Sequence, residues 1–235
     1  MVENERNSRQ AVIDVYHQRA RGYDFTLRIF DLFGWFGFNI SAWRRQAIST
    51  LRLKPGDTVV DIGCGTGNNF PLLYQLVGPN GKIIGVDLSE AMIDQARKRV
   101  ESNQWDNVEL VCADAARYEF PSNVDAVVSI YALILVPDCG RFISNVFQAL
   151  VPGGRVTILD MAWPQYCPLW WRYILFFLRS YGVTVGVLRR RPWEIVQKSM
   201  RELCQDFSKT RFWFGFFYLA CGTVPSIEKA DPNHS

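Results

Sequence analysis

Val59-Val60-Asp61-Ile62-Gly63-Cys64-Gly65-Thr66-Gly67 joins an apolar strand to a glycine-rich turn, and from Asn68 onward the chain reads as a helix. In such a unit, glycines at 63, 65 and 67 permit positive φ and let backbone N–H groups approach a ligand that a Cβ would obstruct. Glycines alone are a weak signal. A second apolar strand, Lys82-Ile83-Ile84-Gly85-Val86-Asp87, strengthens them, because it ends twenty residues beyond Gly67 in a carboxylate placed to accept from both hydroxyls of a ribose. The pair describes a nucleotide-type cofactor site in an α/β domain.

Further elements follow in the same alternation. Ser89 and Glu90 open a helix whose apolar positions Met92, Ile93, Ala96 and Val100 repeat at helical spacing to about Ser102. A third strand, Asn107 to Cys112, leads into Ala113-Asp114-Ala115, where side chains border the crevice at the strand's carboxyl end. The fourth, Val124 to Ser129, emerges into Ile130-Tyr131-Ala132-Leu133-Ile134-Leu135. A helix from Cys139 to about Leu150 stops at Val151-Pro152-Gly153-Gly154, before a fifth strand from Arg155 to Asp160. Phe207–Phe212 and Phe216–Cys221 are close enough to form a hairpin.

The glycine spacing discriminates between cofactors. A dinucleotide fingerprint runs G-x-G-x-x-G, and here the third glycine comes one residue early. The order Asp61-x-Gly63-x-Gly65-x-Gly67 with Asp87 ending the next strand resembles the first motif and its follower in class I S-adenosylmethionine-dependent methyltransferases. That resemblance covers about Lys54 to Gly222. It implies a Rossmann-like α/β fold: a seven-stranded, mostly parallel sheet with helices on both faces and an antiparallel edge hairpin.

The resemblance also implies site residues. Asp61 would hold the methionine ammonium of S-adenosyl-L-methionine, directly or through water, and Gly63, Cys64, Gly65 and Gly67 would pack against the amino-acid end of the cofactor. Asp87 would hold the ribose with Leu88 beside it, Asp114 and Ala115 would border the adenine, and Ser129 would close the site from strand four. A Tyr-Asp pair ahead of the core, Tyr23-Asp24, is similar to the pair that helps close the pocket in the ubiquinone/menaquinone-biosynthesis group, so Tyr23 is the lid candidate.

Composition sets the outer bounds. The chain of 235 residues with 49% hydrophobic content suits one domain with a full core. The organisation expected is a leading helical lid segment (1–53), a methyltransferase domain (54–222) and a polar tail (223–235). Net charge of +3 does not suggest a nucleic-acid binder, and Ser129-Ile130-Tyr131-Ala132 is not the N-P-P-Y-like loop of a nucleic-acid methyltransferase. The six cysteines form no C-x-x-C pair and sit mostly in apolar runs, which reads as free, buried thiols; with a polar N-terminus, a cytoplasmic location is expected. No metal-ligand cluster is apparent among the two histidines, and no G-x-S-x-G elbow supports a hydrolase.

The segment 161–193 contains no Asp or Glu, while Arg172, Arg179, Arg189, Arg190 and Arg191 punctuate a run of tryptophans, tyrosines and phenylalanines. Such a mixture suits peripheral contact with an anionic membrane or a lid over a greasy substrate. Helix Ser41 to about Leu51, with Arg44 and Arg45 outward, reads as structural. The expected activity is methyl transfer to a small or lipid-like acceptor, either a prenylated quinol or a phospholipid amine. A cofactor-binding accessory protein of the same fold without turnover is the alternative. Quinol chemistry would need a proton acceptor, for which Tyr131, Tyr23, His17 and Asp24 are candidates.

Overall fold

The computed structural model describes residues 39–164 and 185–226. Within them the chain builds α1 (Ile40–Ser49), β1 (Thr58–Ile62), α2 (Phe70–Val77), β2 (Lys82–Asp87), α3 (Glu90–Asn103), β3 (Val108–Cys112), β4 (Val124–Ile130), α4 (Cys139–Ala149), β5 (Leu150–Met161), α5 (Val185–Arg190), α6 (Pro192–Leu203), β6 (Ser208–Phe212) and β7 (Phe217–Thr223). The strands form a seven-stranded sheet in the order β3-β2-β1-β4-β5-β7-β6. Neighbours from β3 through β5 are parallel, and β7 runs antiparallel to both β5 and β6. This is the mostly parallel sheet with an edge hairpin that the sequence leads one to expect. The strand order reverses at β1, so the carboxyl ends of β1 and β4 flank a crevice.

Alternation along the strands divides the core in two. Val60, Ile62, Ile84 and Val86 face Phe142 and Val146 of α4 and Trp193, Val196 and Met200 of α6. Val59 and Ile83 face the opposite way, toward Trp43, Ala47 and Ile48 of α1, Phe70 and Leu73 of α2, and Ile93 and Ala96 of α3. With both faces covered, the central strands read as near-continuous apolar runs. Local chemistry sets the helix ends. Pro71 sits in the first turn of α2, Gly78 at φ +68° stops it, and the Asp138 carboxylate caps α4 by accepting from the Arg141 N–H at 3.0 Å.

Several expectations change. Strand five starts at Leu150, directly from α4, and its pairing with β4 steps from Val124↔Leu150 to Ala126↔Arg155, so Val151–Gly154 bulge out of the ladder instead of preceding it. Cys112 is exposed and Cys204 half-buried, although Cys64, Cys139 and Cys221 are buried as expected. The reason is topological: β3 is an edge strand, and a cysteine there can face solvent within an apolar run. Trp193, the last aromatic of the acid-free segment, belongs to the core between α6 and α4. Arg44 is half-buried, not outward. His17, Tyr23, Asp24, Cys167 and the stretch 165–184 lie outside the described residues. Among the described residues no helix is long and apolar enough to cross a membrane.

Candidate functional site

The β1 turn is fastened to β2 at three points and closed on itself at a fourth. The N–H groups of Gly63 and Cys64 both donate to the Val86 carbonyl, at 2.7 and 3.0 Å, the Gly65 N–H donates to Asp87 Oδ2 at 2.8 Å, and the Gly67 N–H closes back on the Cys64 carbonyl at 3.0 Å. The four glycine-turn amides expected to meet a ligand are therefore used within the protein. What the turn offers instead is close approach. Gly65 sits at φ +56° and a Cβ built there would meet nothing within 4 Å, whereas at Gly67 it would strike the Phe70 ring at 2.6 Å. Gly67 thus lets α2 pack on the turn, and Gly65 keeps a space open beside Asp87.

Asp87 is half-buried and accepts from two backbone donors, Gly65 through Oδ2 and Ser89 through Oδ1 at 2.9 Å. Each oxygen keeps a second lone pair, which is what a vicinal diol needs. Burial raises its pKa, and the N–H bonds from Ser89, Gly65 and Leu88 oppose that rise. Ser89 is the N-cap of α3, but its hydroxyl does not cap: the Oγ is buried without a hydrogen-bond partner, next to this carboxylate in the chain. The Ala113 N–H donates to the Asp87 carbonyl at 2.9 Å, which brings the start of the Asp114-Ala115 turn alongside. Asp114 Oδ1 accepts from the Ala116 N–H at 3.0 Å, an Asx turn that fixes the carboxylate at the carboxyl end of β3.

Asp61 lies at the other side of the turn, fully buried on β1. Both its oxygens accept from Asn69 Nδ2 at 3.0 Å. Burial raises its pKa to about 7, against the Asn69 hydrogen bond and the charge of Arg44, which both lower it. Read from the sequence alone, Asn69 is passed over and Arg44 takes only an outward, structural place. Asn69 stands at the start of α2, where a capping role would be read, but its amide turns inward to the acid. Ser129 is buried and its Oγ donates to the Ile62 carbonyl at 3.0 Å, so its hydroxyl proton ties β4 to β1.

Two further groups converge on the carboxyl ends of β4 and β5. Tyr131 adopts φ +61°, an uncommon backbone for a bulky residue, and its ring meets Phe217 edge-on at 5.9 Å. Asp160, at the end of β5, is buried and accepts from the Ile134 N–H at 2.9 Å and the Met161 N–H at 2.7 Å. It pins the short 3-10 turn Leu133–Leu135 that follows Tyr131. The sequence signal for it was an acid ending an apolar strand, the same signal that picked out Asp61 and Asp87.

These residues fit S-adenosylmethionine. Asp61 on β1 is a buried acid suited to an ammonium, Asp87 at the end of β2 keeps free lone pairs for a diol beside the space that Gly65 leaves open, and the unsatisfied Ser89 hydroxyl lies two residues on. If an ammonium settles near Asp61, it favours the carboxylate over the acid, so binding should release a proton. Affinity for S-adenosylhomocysteine should rise by up to about tenfold per pH unit below pH 7 and level off above it. Calorimetry in buffers of different ionisation enthalpy measures that release directly, and Asp61→Asn should abolish it.

Comparison with known proteins agrees with the geometry. The family model described as "Methyltransferase domain" matches residues 53–213. A demethylmenaquinone methyltransferase of Symbiobacterium thermophilum is 32% identical over 157 residues, which cover 66% of this chain and 61% of that protein. The chain thus spans less than two thirds of the length of that relative. Among solved structures, geranyl diphosphate C-methyltransferase of Streptomyces coelicolor A3(2), bound to S-adenosyl-L-homocysteine, superposes with a TM-score of 0.64 at 16% identity, covering 78% of this chain and 76% of its own. Phosphoethanolamine N-methyltransferase 2 of Haemonchus contortus superposes at 0.66 with 18% identity, covering 90% and 59%. With the glycine turn, Asp61 and Asp87 in a sheet of this order, the chain belongs to the methyltransferase domain family and resembles the menaquinone group of the class I S-adenosylmethionine-dependent methyltransferases.

Proposed function

We propose that this chain transfers the methyl group of S-adenosylmethionine to a lipid-like acceptor, and that the acceptor is the ring carbon of a prenylated quinol. The bound cofactor supplies an electrophilic methyl on a sulfonium. The chain's own task is then to align a nucleophile, exclude water and take up a proton. Asp61, with Asn69 and Arg44 behind it, would anchor the amino-acid end, Asp87 the ribose, and Asp114 with Ala115 the adenine edge. Leu88, Gly63 and Cys64 complete the wall as proposed contacts.

The observation that carries the acceptor class is the ring wall next to the β4 turn. Tyr131 meets Phe217 at 5.9 Å, Phe217 meets Trp213 at 6.3 Å, and Trp163 meets Phe216 edge-on at 5.7 Å. A flat aromatic ring with an apolar tail suits such a wall better than a small polar amine does. The relative from Symbiobacterium, named for a demethylmenaquinone substrate, supports the same reading. A quinol carbon becomes nucleophilic when its hydroxyl loses a proton, and Tyr131 is the candidate within the described residues to receive or relay it. A phospholipid-amine acceptor is the second reading. It is favoured by exposed Arg189 and Arg190, which could pair with a phosphate.

Mass-spectrometric comparison of quinones and phospholipids from cells with and without the gene distinguishes the two. The quinol reading expects accumulation of the demethylated quinone and unchanged amine headgroups; the converse pattern overturns it in favour of the amine. A non-catalytic accessory role requires that no S-adenosylhomocysteine form above background when the purified protein meets total lipid and cofactor.

A further inference from the structure

Between β6 and β7 the chain makes a turn unlike any other in the described fold. Trp213, Phe214 and Gly215 have φ of +43°, +56° and +87° in succession. Two bulky aromatic residues held in the left-handed region cost energy that the surroundings must offset. Here they do so with rings. Trp213 folds back against Phe216 at 5.4 Å and Phe217 at 6.3 Å, the Phe216 N–H donates to the Trp213 carbonyl at 3.1 Å, and the Ala162 N–H donates to the Phe216 carbonyl at 2.8 Å. The outcome is that Phe214 points outward. It is 86% exposed, while the other exposed large apolar residues among those described lie near 40%. A turn that half-buries Trp213, buries Phe216 and holds the ring of Phe214 in solvent is built to present that ring.

Its position gives the ring a use. Phe212 pairs with Phe217, and Met161 at the end of β5 pairs with Phe217 too, so the turn stands at the carboxyl edge of the sheet, where the crevice opens. Phe217 links it to Tyr131. The same edge is basic. Arg211 is exposed with its side chain alongside the turn, since a Cβ on Gly215 would lie 4.0 Å from Arg211 Cδ. Arg189, Arg190 and Arg191 are exposed near the β4 turn, where Arg190 donates to the Val136 carbonyl at 3.5 Å. The acids facing them are Glu194, paired with Arg191 at 3.1 Å, and Asp138, used as the cap of α4.

We infer that Phe214 is a membrane-anchoring finger: its ring enters the acyl boundary of an anionic phospholipid surface while Arg211 and the arginines 189–191 engage the headgroup phosphates, seating the mouth of the crevice on the bilayer. The inference deepens the lipid-acceptor reading and rests on it for its purpose, not for its evidence. An exposed phenyl ring amid cations at the rim of a ring-lined crevice fits the depth profile of a lipid interface, apolar below and anionic above. Charge complementarity selects the occupant: a second copy of the same surface would set arginine against arginine.

Sedimentation with phosphatidylcholine vesicles, with and without phosphatidylglycerol, tests it. Wild type should partition onto the anionic vesicles, Phe214→Ser should lower that partitioning by about tenfold or more, and Arg211→Gln should lower it by about fivefold on anionic vesicles alone. The melting temperature of Phe214→Ser in buffer should be unchanged or higher, because the ring is 86% exposed and meets the Trp213 ring only at a centroid separation of 6.4 Å. Equal partitioning of wild type and Phe214→Ser overturns the inference. So does a lower melting temperature of Phe214→Ser without vesicles, which would mean that the ring packs within the protein. Turnover of a quinol dispersed in detergent, run in parallel, tests the acceptor reading separately: Phe214→Ser should keep it while losing turnover on vesicle-borne quinol. A wild type that partitions through Phe214 yet methylates no dispersed quinol would leave the finger standing and remove the quinol.

Discussion

Asp87→Ala should bind S-adenosylhomocysteine about a hundredfold more weakly than wild type, the sum of two charge-assisted hydrogen bonds lost from a ribose, on the order of 1.5 kcal/mol each at the low end. The structure adds a second route to the loss. Asp87 also accepts from the Gly65 N–H at 2.8 Å and the Ser89 N–H at 2.9 Å, so its removal frees the turn that leaves space for the ligand. Asp87→Asn separates the contributions. It keeps one acceptor oxygen, hence part of the turn, but lacks the charge, and should fall between wild type and the alanine variant. Gly65→Val attacks the same site from the other side. A branched residue at φ +56° is strained by roughly 1 to 3 kcal/mol, and its side chain enters the open space that the ligand is proposed to use. Its folded fraction should remain measurable because no protein atom lies within 4 Å of the new Cβ, while cofactor binding should vanish. Calorimetric titration reads both. Wild-type affinity in Asp87→Ala and Gly65→Val together would remove the cofactor from this crevice.

Much of this site was legible in the sequence because its parts are close in the chain or repeat one rule. Strand, glycine turn and helix are contiguous, and an acid that ends an apolar strand marks the carboxyl edge of the sheet wherever it occurs. The same rule applied to Val156-Thr157-Ile158-Leu159-Asp160 would have found Asp160. Other parts depend on what lies opposite, which no local pattern carries. Arg44 looks like one of two outward arginines on an amphipathic helix, until α1 packs against the sheet and its charge reaches Asp61. Asn69 has the right place for a cap and the wrong partner for one, since a buried carboxylate eight residues earlier takes both its donor bonds. The turn amides read as ligand donors because the second strand's carbonyl, to which those of Gly63 and Cys64 bond, cannot be registered against the turn from sequence alone. Phe214 was equally hidden: in a hairpin rich in aromatics, nothing but the φ angles says which ring is turned out.

Replacing Asp160 should separate positioning from binding. Its carboxylate accepts from the Ile134 and Met161 N–H groups, with Leu133 as a further backbone donor, and burial nonetheless holds its pKa up at about 7. Asp160→Ala would leave those amides buried without an acceptor, at about 1 to 3 kcal/mol apiece. Against a total of roughly 5 to 15 kcal/mol for a domain, that variant is expected to be severely destabilised. Asp160→Asn is the informative one, because it retains the volume and one acceptor oxygen. The sign of the pH effect follows from the raised pKa. A carboxyl that titrates near 7 when folded and near 4 when unfolded binds its proton more tightly in the folded state. Its contribution to stability is complete below pH 4 and is lost as pH rises toward 7. Wild type without cofactor should therefore melt at progressively lower temperature from pH 4 to pH 7, through Asp160 and Asp61 alike, and Asp160→Asn should show a shallower slope. Cofactor should flatten the share that belongs to Asp61 and leave the share of Asp160 in place, because Asp160 faces the backbone of the Leu133–Leu135 turn and not the ligand. Displacement of that turn should then reach Tyr131, immediately before it, and lower kcat while the affinity for S-adenosylhomocysteine stays within about twofold of wild type. A fall in affinity as large as the fall in kcat would place Asp160 in the cofactor site itself, and an unchanged pH slope would show that the carboxyl does not titrate where its burial puts it.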